Sequence, residues 1–273
     1  MNWNDFCKSK ISEVKKLHKQ KTGVDCNLEN PQTFTDKLEW LKIYDSTFLK
    51  TYCADKITMR DYVKSKITED ITVPILGVYN KFDDIDFSQL PKDFIIKTNH
   101  ASHTNIIVKN SQFNKNDLKK KFDFWMTCDY SLYAYEMYYK NIPRKIYIEP
   151  LLSNECLKDY KFFCFNGEPK IMYIGDDGNY QNPTSDFFDM NFNHLDIIMR
   201  DPNSTITPSK PLNFEKMKQY AKILAQDFKF VRVDFYEING KLYISELTFI
   251  PSAAYIHFKN PQHNLLLGEW LKL

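Results

Sequence analysis

Hydrophobic positions fall first at helical spacing and later at strand spacing. Phe6, Ile11, Val14 and Leu17 recur on one face and predict a helix over 4–20. After the Asn30-Pro31 break, Phe34, Leu38, Leu41 and Ile43 around Trp40 predict a second helix, and ADKITMRDYVKSK a third over 54–66. From there the pattern changes. Apolar runs at 74–79, 93–97 and 106–109 predict strands, with the polar loop NHASHTN at 99–105 between the last two. Residues 115–126 and 129–139 read as helical. Strands are predicted over 145–149, 160–165 and 170–174, the last two joined by Asn166-Gly167-Glu168-Pro169. Residues 175–210 show little periodicity and predict a long functional loop or covering flap. A helix over 213–228 and a hairpin, 230–237 with 241–249 about Asn239-Gly240, complete the pattern. Helices mixed with antiparallel hairpins predict an α+β fold.

The chain has 273 residues and is 43% hydrophobic, which provides for a substantial core and argues against global disorder. Net charge is only +2, and the 37 basic residues include just four arginines: Arg60, Arg144, Arg200 and Arg232. Nucleic-acid binders concentrate basic charge and lean on arginine forks, so no nucleic-acid partner is expected. Six cysteines lie scattered without a CxxC pair or zinc-type spacing, as in a reduced, cytoplasmic protein. The polar N-terminus does not resemble a signal peptide, and no apolar run is long enough for a transmembrane segment.

The hairpin VRVDFYEINGKLYISELTFIPS places Arg232, Asp234 and Glu246 inside strand-like sequence. A two-residue turn at Asn239-Gly240 sets Asp234 opposite Ser245 and turns Glu246 to the other face. A three-residue loop, Ile238 to Gly240, sets Asp234 opposite Ile244 and Arg232 opposite Glu246. The second register is favoured. It gathers Arg232, Asp234, Glu246 and Thr248 on one face and leaves Val231, Val233, Phe235, Tyr243, Leu247 and Phe249 on the other. Two carboxylates on adjacent strands suit Mg²⁺ bridging phosphate oxygens. The same residues equally suit a solvated face with an Arg232–Glu246 pair.

Lys97 ends a strand before the 99–105 loop, where a lysine can reach phosphate and loop amides can cradle it. Taken singly, such a lysine more often extends into water. Asp159 and Lys161 share a strand face, and Glu149 stands before Pro150-Leu151-Leu152 at a strand end that can offer backbone groups to an adenine edge.

In order, these features resemble the ATP-grasp superfamily, and most closely the TupA-like ATP-grasp family. FTDKLEWLKIYD, ADKITMRDYV, VPILGVY, LPKDFIIKTNHAS, DYKFFCFNGEPKIMY and VRVDFYEINGKLYISELTF carry the resemblance over most of residues 31–252. It implies an ATP-grasp fold in three parts: a helical lobe at 1–73, a small lobe at 74–148 with the phosphate loop, and a C-terminal lobe at 149–273. It further implies that Lys97 and Lys161 contact ATP phosphates, with Ser102, His103 and Thr104 in the phosphate loop. Glu149 and Leu151 would line the adenine hinge, and Asp159 would lie by the ribose. Asp234, Glu246 and Thr248 would hold Mg²⁺, and Arg232 would steady the acyl-phosphate. Two departures stand out. The loop carries no glycine, and Thr248 replaces a frequent asparagine. His100 and His103 read as solvated loop residues.

The implied activity is an ATP-dependent carboxylate–amine ligase working through an acyl-phosphate, in capsule, lipopolysaccharide or teichuronopeptide synthesis. The substrates would be a small-molecule or saccharide carboxylate and an amine. A small-molecule kinase, a polysaccharide glycosyltransferase and a non-catalytic binding module are the rival readings. For the glycosyltransferase, the Asp83–Asp86 stretch fits a solvated acidic loop better than a sugar-nucleotide motif.

Overall fold

A computed structural model describes residues 3–153, 157–175 and 183–273. The N-terminal part forms five helices: α1 (Trp3–Lys8), α2 (Ile11–Thr22), α3 (Phe34–Tyr44), α4 (Phe48–Ala54) and α5 (Met59–Lys66). The single helix expected over 4–20 is interrupted, and the Ser9 hydroxyl bonds back to Phe6 O at 2.7 Å. The helix expected over 54–66 begins only at Met59. A turn precedes it, with the Asp55 carboxylate accepting from Ile57 N at 2.8 Å. That turn matters, because it carries Lys56.

Next come β1 (Gly77–Tyr79), β2 (Phe94–Thr98), β3 (Asn105–Val108), α6 (Lys115–Thr127) and β4 (Ile146–Pro150). The strands form an antiparallel sheet in the order β1-β4-β2-β3. Phe94, Ile96, Ile146 and Ile148 turn to one face and build a core with Phe82 and with Phe122 of α6. Ile95, Lys97, Tyr147 and Glu149 alternate to the opposite face. The helix expected over 129–139 is absent. Two short 3-10 turns, Tyr130–Leu132 and Met137–Tyr139, stand there, with Tyr135 left-handed at φ 58° between them. Asp129 caps the first turn, and Tyr138 packs edge-on against Phe249.

The second sheet contains β5 (Asp159–Phe165), β6 (Glu168–Gly175), β7 (Ser185–Asp189), β8 (His194–Leu195), β9 (Phe230–Ile238) and β10 (Lys241–Thr248). Its order is β10-β9-β5-β6-β7-β8, antiparallel throughout. The 175–210 stretch, read from sequence as a loop or flap, therefore contains two strands, β7 and β8. Its residues 176–182 lie outside the described part. α7 (Phe214–Ala225) covers one face over Phe162, Val233 and Phe235. On the other face Phe34 of α3 packs among Phe163, Phe165 and Phe230.

α8 (Pro261–Trp270) closes the chain against α3. Asn264 bonds Thr35 N and Oγ1 at 3.1 and 2.9 Å, and Lys37 Nζ reaches Gly268 O and Leu271 O at 2.7 and 2.8 Å. Helices α3 to α5 thus share one core with the six-stranded sheet, while the four-stranded sheet has its own. Among the described residues no helix is long and apolar enough to cross a membrane.

Candidate nucleotide and metal site

The β9–β10 hairpin turns on two residues. Asn239 and Gly240 are both left-handed, with φ 51° and 74°, and Lys241 pairs with Ile238. The three-residue loop expected from sequence does not form. By itself this turn would send Glu246 to the wrong face. A β-bulge between Ile244 and Glu246 corrects it: the register steps at Ser245, Glu246 then faces Asp234, and Thr248 faces Arg232. So Arg232, Asp234, Glu246 and Thr248 do share a face, but with partners different from those expected. Tyr243 joins their side opposite Tyr236, and Leu242 and Ile244 take its place in the core.

β5 continues that face. Lys161 lies opposite Asp234, and Asp159 opposite Tyr236. Lys161 Nζ is 3.6 Å from Asp159 Oδ2 and 5.5 Å from the Tyr173 ring centre. Burial works against its charge, yet Tyr173, Asp159 and Asp234 outweigh burial and leave Lys161 more basic than an ordinary lysine. Arg232 forks onto Asp234 with Nε–Oδ1 2.8 Å and Nη2–Oδ2 2.6 Å, and Nη2 also approaches Glu246 Oε1 at 3.4 Å. Burial pushes the Asp234 carboxyl up to about 6 against the pull of Arg232. Burial pushes Glu246 up as well, but Lys56, Arg232 and Lys161 together hold it below its usual range.

The four-stranded sheet contributes the opposing wall. Lys97 Nζ bonds Glu149 Oε2 at 2.5 Å, and the Arg60 guanidinium takes Glu149 Oε1. Both cations stand over the Tyr147 ring, at 5.3 Å for Arg60 and 6.0 Å for Lys97. The Glu149 carboxylate is thus committed to holding two cations. What the strand end leaves for an adenine edge is backbone between Pro150 and Ser153, of which Leu151 N is already bonded to Asp93 O at 3.4 Å.

The glycine-free loop is pinned rather than loose. Asn99 is fully buried, its amide bonding Pro143 O and Lys145 N at 2.9 and 2.7 Å. Thr98 and Thr104 join hydroxyls at 2.6 Å. The left-handed position falls on His103, φ 57°, which is exposed. His100, expected in solvent, is 2% exposed, and its Nε2 meets Trp125 O at 3.3 Å. Burial raises the Tyr130 phenol above its ordinary value, and Ser102 works against that rise.

Sequence reasoning missed two residues of this centre, Lys56 and Arg60. Lys56 N bonds Asn99 O at 3.2 Å and its Nζ bonds Ala101 O at 2.8 Å. Burial lowers its pKa, while Glu246 raises it and Lys97 lowers it further. Both residues lie in ADKITMRDYV, where the i, i+4 spacing suggested only a helix face. Beside the loop a cavity of about 470 Å³ is lined by Ala101, Thr104, Trp125, Asp129, Tyr130 and Tyr133 among others.

Asp234, Glu246 and Thr248 offer hard oxygen donors in register, which fits a divalent cation of the Mg²⁺ type. Among the described residues no group of three or more His, Cys, Asp or Glu gathers anywhere. Further ligands of a cation here would therefore come from phosphate or water.

A family comparison decides the class. The description "TupA-like ATPgrasp" matches residues 36–272. The chain belongs to the TupA-like ATP-grasp family. No curated protein matches it. Among solved structures, it is similar to a D-alanine-D-alanine ligase from Helicobacter pylori at 18% identity and TM-score 0.48, over 81% of this chain and 59% of that one. It is also similar to an N5-carboxyaminoimidazole synthetase from Staphylococcus aureus complexed with ADP, at 16% identity and TM-score 0.45, over 73% of this chain and 45% of that one. A D-alanine-D-alanine ligase from Bacillus anthracis complexed with ATP aligns at 16% identity and TM-score 0.43, over 73% and 54%. The chain thus spans well under two thirds of the length of these ligases.

Proposed function

We propose that this TupA-like ATP-grasp protein is an ATP-dependent carboxylate–amine ligase. What supports the reading is the grouping of charge: Lys56 and Lys161 both act on Glu246, Lys161 faces Asp234, and Lys97 acts on Lys56. Such a cluster is matched to a polyphosphate. Lys97 and Lys161 hold phosphate oxygens, with Lys161 kept charged by its carboxylate neighbours. The pinned loop presents Ser102, His103 and Thr104, while Glu149 fixes Lys97 in place. Asp159 meets the ribose, and the backbone after Glu149, with Leu151, lines the base. Asp234, Glu246 and Thr248 would hold a divalent cation, which would supply neutralising charge for the transferring phosphoryl group.

The substrate carboxylate attacks the γ-phosphorus, forming a C–O–P bridge and releasing ADP. An amine then attacks the acyl carbon, the C–O bond breaks, and phosphate leaves with the amide formed. Arg232 stands where negative charge develops in both steps. The substrates we favour are a uronic or amino acid and an amine, used in the cytoplasm on cell-surface saccharide precursors. The cavity beside the loop supports a ring-bearing substrate, because Tyr130 and Tyr133 stack with centroids 6.0 Å apart at its wall.

Mass spectrometry of reactions with Mg-ATP, uronic acids and amines tests this. An amide product with one ADP per turnover is expected. A stable phosphorylated product would reassign the protein as a kinase.

A further inference from the structure

Arg232 grips every side chain that stands ready for a cation. Its fork takes both oxygens of Asp234, and Nη2 also meets Glu246 Oε1 at 3.4 Å and Thr248 Oγ1 at 3.2 Å. Thr248 Oγ1 in turn donates to Glu246 Oε1 at 3.0 Å. Two other cations act on these carboxylates: Lys161 faces Asp234 from β5, and Lys56 draws on Glu246. Arg232 is 8% exposed and Asp234 1%, so little water stands by to substitute for a lost partner. A planar bidentate fork takes one lone pair on each oxygen of a carboxylate and holds both oxygens toward the guanidinium. A divalent ion coordinating Asp234 would draw on the same two oxygens, and would stand against a buried guanidinium of like sign.

We infer that Arg232 and the divalent cation are alternative partners of Asp234, so that loading the cation frees the guanidinium. Two consequences follow. Free metal binds poorly, because it must displace a bidentate arginine with nothing to receive it. A nucleotide changes that balance, since its phosphates accept the released guanidinium as the metal takes Asp234. One event then loads the cation and delivers Arg232 to the reacting phosphoryl group. The second consequence rests on the ligase reading; the exchange at Asp234 does not.

The test uses Mn²⁺ alone, counted by electron paramagnetic resonance on the full chain without nucleotide. Arg232→Met keeps side-chain length and removes the charge. We expect this variant to bind Mn²⁺ at least tenfold more tightly than the wild type, and Arg232→Lys, which keeps charge but cannot fork, to fall between them. Equal or weaker Mn²⁺ binding by Arg232→Met overturns the inference. If Arg232→Met melts early because Asp234 is left unpaired, Mn²⁺ must raise its melting temperature more than it raises that of the wild type. An equal or smaller rise also overturns it. In the wild type, the Arg232 ¹⁵Nε resonance should move with Mg-ADP and stay put with ADP alone; movement with ADP alone contradicts the exchange. Failure of any nucleotide to bind would count against the ligase reading and leave the Mn²⁺ comparison standing.

Discussion

Lys56 shows how a single ammonium can serve two elements. It bonds Ala101 O, feels Glu246 from the other sheet, and lies in a turn that sequence periodicity had merged into a helix. Lys56→Met should weaken nucleotide binding about tenfold, roughly 1.4 kcal/mol, as loss of a charge-assisted contact does. Titration calorimetry checks this, and unchanged affinity would place the phosphates elsewhere. His100 gives a pH signature. Burial, with Arg144 and Lys56 nearby, lowers its imidazole to about 4, against the Trp125 carbonyl and Asp129, which raise it. Above its ordinary value near 6.5 it is neutral in both folded and unfolded chains. As pH falls from there toward 4, the unfolded chain takes up a proton that the folded chain refuses. Stability attributable to His100 therefore drops, by up to roughly 3 kcal/mol. Denaturant unfolding of wild type against His100→Gln should show that difference opening below pH 6.5; parallel curves would refute it. Lys97, Lys161, Arg232, Asp234 and Glu246 were legible as charges set within or at the ends of strands. His100 was not, because a histidine in a polar loop carries no sequence mark of burial.

At the scale of elements, the hairpin is the instructive case. Alternation correctly groups Arg232, Asp234, Glu246 and Thr248 on one face, but the irregularity lies outside the turn. The turn is a regular two-residue one, and the extra residue sits at Ser245. An extra residue in a bulge looks like any other strand residue in sequence, so its position was not readable. Gly240→Ala isolates the turn: φ is +74° and an added Cβ meets nothing within 4 Å, so the cost is purely conformational. About 1 kcal/mol of destabilisation is expected in chemical unfolding. No change would mean the turn is built otherwise. β7 escaped sequence reading for a related reason. Phe187 and Phe188 are both buried, so this strand never alternates. The 129–139 stretch was misread because its tyrosines repeat at helical spacing while Asp129 and the left-handed Tyr135 break the backbone.

For the whole molecule, the antiparallel sheets and the order of the site residues could be read in advance, while the closure of the chain on itself could not. α8 docks on the start of α3, and a Cβ at Gly268 would lie 2.1 Å from Gln32 O and 2.9 Å from Phe34 N. Both contacts are backbone, so neither can yield cheaply. Gly268→Ala should cost about 1–3 kcal/mol, as overpacking does, measured by thermal or denaturant unfolding. Wild-type stability would show that α8 is not seated there. This seam holds α3, whose Phe34 fills the apolar end of the face that bears Asp234. The two sheets have separate cores, which suits relative movement about a nucleotide in the proposed site. The most direct test of the site is Mg²⁺-dependent ATP binding by calorimetry, wild type against Asp234→Asn. The account predicts binding that needs Mg²⁺ and falls at least tenfold in the variant. Equal Mg-ATP affinity in the two proteins, with both well folded, would contradict it.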